Sequence, residues 1–172
     1  MKDNRQAVAM LQSIMPLLMT VKAEVSAIKE KFSEIAYYQN FKFHVHRPSK
    51  IPLEAVDEFI LFINNAKEEF LTFKESFNEN DLPDEARKNF VKIMLLICQN
   101  GLEYKNGYAH VGGISGTWVK PVSYVLERWD SMEYVIKVAY SQQAYNVISG
   151  YFNLIDCIQL LENDLKLLFN RH

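Results

Sequence analysis

The sequence is poor in the residues that staple, hinge or catalyse. Two cysteines, Cys98 and Cys157, are too few in 172 residues for a disulfide-scaffold domain. Six glycines and five prolines exclude a collagen-like chain. Excess charge of one sign is missing too, since 19 Lys plus Arg face 21 Asp plus Glu, for a net of −2. That balance argues against a protein whose main task is to coat nucleic acid or an anionic membrane. There is no Cys-X-X-Cys, no Gly-X-Ser-X-Gly, and no Gly-Lys-Ser/Thr of a phosphate loop.

What is present is apolar. Hydrophobic residues make up 49% of the chain, enough to exclude a disordered protein. The length suits one domain over 1–172, and no repeat, low-complexity tract or long linker divides it. Both cysteines fall on apolar helix faces, which reads as two reduced core thiols. The run from Ala7 to Val21 follows Lys2 and Arg5, yet Asp3, Gln12, Ser13 and Pro16 break the pattern of a secretory signal. The run is also short for a bilayer span, so the expectation is a core helix in a cytoplasmic protein with no membrane contact.

Helical periodicity dominates. Leu11, Met15, Leu18, Val21, Val25, Ile28, Phe32 and Ile35 recur at steps of three and four. A second stripe runs Leu53, Val56, Ile60, Ile63, Phe70, Phe73 and Phe77, opened by Pro52. A third carries Ala86, Phe90, Ile93, Met94 and Ile97, with Asp81 as the expected N-cap, Pro83 just inside and Gly101 as the stop. A last region starts at Pro121 and continues almost in phase to Leu168. As one helix it would be about 70 Å long, far beyond the first, so a break near Ser141 or Gly150 is expected. Within it, Val138 to Ile155 contains no charged residue. That stretch is either a helix buried on most sides or a surface for self-association.

Two segments are not helical in pattern. Phe41, Phe43 and Val45 alternate with Lys42, His44 and His46, a period of two that predicts a strand over 41–46. Asn106-Gly107 between Leu102–Lys105 and Tyr108–Val111 predicts a hairpin over 102–111. The expected fold is mainly α: an antiparallel bundle of four or five helices with this small β-element at one pole. Short connections put the strand and the hairpin at the same end, where they could pair into three strands.

That pole gathers the residues with chemistry. Tyr37, Tyr38, Lys42 and Arg47 come from the first connection, and Tyr104, Tyr108, Trp118 and Lys120 from the second. Trp, Tyr and Arg are the side chains that most often carry interface energy, so these eight are the candidate binding residues, with Arg47, Tyr108 and Trp118 as anchors. Their basic, aromatic character suits an acidic partner. No catalytic residue is assigned.

Zinc is the one cofactor considered. His44 and His46, two apart on a strand, project to one side, and His110 on a neighbouring strand could complete three imidazoles with an open fourth position. Against it, no Asp or Glu lies between Ala36 and Leu53 to orient a ligating imidazole. The Gly112–Thr117 run lacks phosphate-loop context and reads as a loop. The balanced charge disfavours nucleic acid as a partner. The leading expectation is a non-enzymatic binding protein of the small inhibitor, immunity-type or adaptor kind, with a protein partner. The alternatives are a metal-dependent or nucleic-acid-processing enzyme at the three histidines, and a subunit of a larger helical assembly or homo-oligomer joined through 138–155.

Overall fold

A computed structural model describes residues 4–33, 36–39, 42–45, 53–98, 102–105, 108–111, 127–131, 133, 145 and 148–170. The protein is mainly helical. Among the described residues four helices carry the structure: α1 (Asn4–Ser33), α2 (Leu53–Glu75), α3 (Asp84–Cys98) and α4 (Leu154–Asn170). Each exists because one stripe of its surface is apolar at helical spacing. The stripes meet in one buried cluster. Leu11, Leu18, Val21 and Val25 of α1 are fully covered, as are Val56, Ile60 and Phe70 of α2. Phe90 and Ile93 of α3 and Leu154, Ile158 and Leu161 of α4 complete it. Burying a side chain of this size contributes about 1.5–3 kcal/mol, set against the conformational entropy lost on folding.

Individual contacts set the relative directions. Asn89, early in α3, donates to Asp164, late in α4, at 2.7 Å. The end of α3 lies by the start of α4, because Cys98 acts electrostatically on Tyr151. The two helices are therefore antiparallel. In α1, Lys22 donates to Gln159, and Lys29 stands 5.4 Å above the ring of Phe152. Residue numbers rise along α1 as they fall along α4, so this pair is antiparallel as well.

The α2–α3 turn departs from expectation. A 3-10 turn occupies Glu79–Asp81, with the Asn78 side chain accepting from the Asn80 N–H at 3.1 Å. Helix α3 begins at Asp84, and the Pro83 carbonyl accepts from Arg87 N–H at 2.8 Å. Asp81 is thus not the N-cap of α3. The reason is Leu82, which is buried and held at φ −82°, ψ 151°. A residue before proline is pushed out of the helical region, so no helix can run through it.

Helix α1 is long and apolar enough to cross a bilayer by length and composition. The Ala7–Val21 run is only part of it. In this structure it packs against α2 and α4. Pro16 lies within it and has no N–H for the carbonyl of Gln12.

Backbone pairing occurs in two separate antiparallel ladders among the described residues. Strand β1 (Ala36–Gln39) pairs with β2 (Lys42–Val45), and β3 (Leu102–Lys105) pairs with β4 (Tyr108–Val111). The β2 backbone finds its partner locally in β1 and not in the 102–111 hairpin. A partner two residues away costs far less loop entropy than one sixty residues away. Near the start of α4 the chain turns at Gly150–Asn153. Tyr151 N–H bonds the Ile148 carbonyl at 3.0 Å, and Leu154 N–H bonds that of Tyr151 at 3.0 Å. The break expected near Gly150 is there. The other position considered, Ser141, lies outside the described residues.

Candidate functional site

Three helix ends converge on the segment just before α4. Tyr151 is buried and meets Phe59, near the start of α2, edge-on at 5.6 Å between centroids and 74° between planes. Burial is the main cause that pushes its phenol well above the ordinary tyrosine range, with Cys98 at the end of α3 adding to the effect. Beside it, Phe32 of α1 lies 6.2 Å from the ring of Tyr145, and Tyr145 meets Phe152 at 5.9 Å and 80°. The ammonium of Lys29 sits over the outer face of Phe152. This aromatic floor joins the end of α1, the start of α2 and the end of α3. The candidate pole is carried by the two connections that leave from those ends.

The backbone register of the ladders places part of the candidate set. Tyr37 lies opposite His44, Tyr38 opposite Phe43, and Lys42 opposite Gln39. Tyr104 lies opposite Ala109, Tyr108 opposite Lys105, and His110 opposite Glu103. Cross-strand partners of this kind have Cβ atoms about 4.5–5.5 Å apart. Glu103 is thus the residue opposite His110 in the backbone register. His44 and His110 belong to different ladders. Arg47, His46, Trp118 and Lys120 lie outside the described residues, as do the side chains of all the strand residues. Among the described residues no group of three or more His, Cys, Asp or Glu could hold a metal ion.

Both cysteines are half-buried and free. Burial raises the Cys98 thiol, and Lys67 and Lys74 of α2 oppose that in part. Burial raises the Cys157 thiol as well, against the pull of Lys92 and with the push of Asp156. A raised thiol is a poor nucleophile at neutral pH, which fits packing better than covalent chemistry. Of the uncharged stretch 138–155, Ile148, Tyr151 and Leu154 are buried in the core, while Gly150 and Asn153 face outward. The remainder of that stretch is mostly outside the described residues.

Grooves flank α4 on two sides. One, of about 390 Å³, lies between α1 and α4 and is lined by Gln12, Met15, Pro16, Met19, Glu162, Leu165 and Lys166. The other, of about 380 Å³, lies between α3 and α4 and is lined by Lys92, Leu95, Leu96, Asn153, Asp156 and Cys157. Neither was singled out by sequence.

Comparison with known proteins returns no matching family model, no matching curated protein and no matching solved structure.

Proposed function

We propose that the protein is a cytoplasmic, non-enzymatic binding module, built as an antiparallel four-helix bundle with a small β-capped pole. In this reading the pole recognises an acidic protein partner through Arg47, Tyr108 and Trp118. Tyr37, Tyr38, Lys42, Tyr104 and Lys120 extend the contact. One observation supports it above the rest. The helix ends that launch both connections converge on buried and half-buried aromatic rings around Tyr151. Loops held by a rigid scaffold are where recognition residues concentrate. An inhibitor, immunity-type or adaptor role would use such a surface.

The test is an affinity pull-down from the native source, read by mass spectrometry, with the Arg47→Ala/Trp118→Ala double variant as control. A near-stoichiometric partner lost in the variant supports the reading. A partner retained in the variant moves the site off the pole. Stoichiometric zinc in untagged protein, lost in His44→Ala, would favour instead the enzyme centred on His44, His46 and His110.

A further inference from the structure

We draw no further inference here: the strongest candidate, the groove of about 390 Å³ between α1 and α4 at Met15, Pro16, Met19 and Leu165, is an apolar cleft, and nothing in the structure shows what covers it.

Discussion

Tyr151 stands edge-on to Phe59, their ring centroids 5.6 Å apart, although more than ninety residues separate them. This contact fastens the segment before α4 to the first turns of α2. Cys98, at the end of α3, lies within electrostatic reach of the same phenol. One buried ring thus ties three helices together at the end from which the candidate loops depart.

Truncation of that ring is expected to be among the most damaging single changes. Tyr151→Ala should cost about 3–5 kcal/mol, the range for emptying a buried aromatic site. Tyr151→Phe keeps the ring and should cost much less. Urea unfolding of the two variants checks the difference.

The phenol also links stability to pH. Its folded-state pKa lies above the ordinary value of 10.0, so the native state holds the proton more tightly than the unfolded chain. This contribution is fully present below about pH 10 and is lost as pH rises further. Tyr151→Phe should flatten the fall in urea midpoint between neutral and strongly alkaline solution. An unchanged slope would exclude Tyr151 as its source.

Asn89 and Asp164 give a second handle. Their 2.7 Å hydrogen bond joins α3 to α4 in a half-buried setting. Asn89→Ala should cost about 1.5–3 kcal/mol, as for hydrogen bonds to charged groups. A double-mutant cycle with Asp164→Ala should return a coupling near that size, whereas independent effects would mean the bond contributes nothing in solution.

Pro16 interrupts the hydrogen-bond ladder of α1 at an exposed position. Pro16→Ala supplies the missing donor and should raise stability by about 1–3 kcal/mol. Thermal unfolding would show a higher midpoint. A lower one would mean that the local geometry of α1 around Pro16 is needed for packing on α4.

Burial holds both thiols above their ordinary value of 9.0. Alkylation of Cys98 and Cys157 at neutral pH should be slower in native protein than in urea-unfolded chain. Equal rates would contradict the half-buried placement of the two side chains.

The helices were legible to different depths. In α3 the residues expected inside, Ala86, Phe90, Ile93, Met94 and Ile97, are all buried. A narrow apolar stripe between charged residues leaves one way to orient a helix. In α2 the stripe was read one residue too narrow. Phe59 and Ala66 are buried too, and Phe59 is met by Tyr151 from the far end of the chain. The start of α3 was placed too early because capping preference at Asp81 was weighed without the constraint that Pro83 puts on Leu82. Of the segments read as extended, the strand expected over 41–46 pairs over Lys42–Val45, and Asn106-Gly107 separates the two strands of the second ladder. The partner of β2 was not legible, because Ala36–Gln39 reads equally well as the continuation of α1.

Local chemistry decided much of this protein before any tertiary contact. Spacing of apolar residues set which segments are helical and which face turns inward, since helix geometry repeats every 3.6 residues whatever the surroundings. Long-range packing decided the rest. Whether the chain turns at Gly150 could not follow from a stripe that runs in phase through it; the Tyr151 and Leu154 N–H bonds to carbonyls three residues back show the turn. Nor could one helix at a time reveal the groove between α3 and α4. Asn89 reads as an ordinary polar residue of α3 until Asp164 of α4 stands beside it. Periodicity belongs to a single element, whereas a surface exists only once two elements lie side by side.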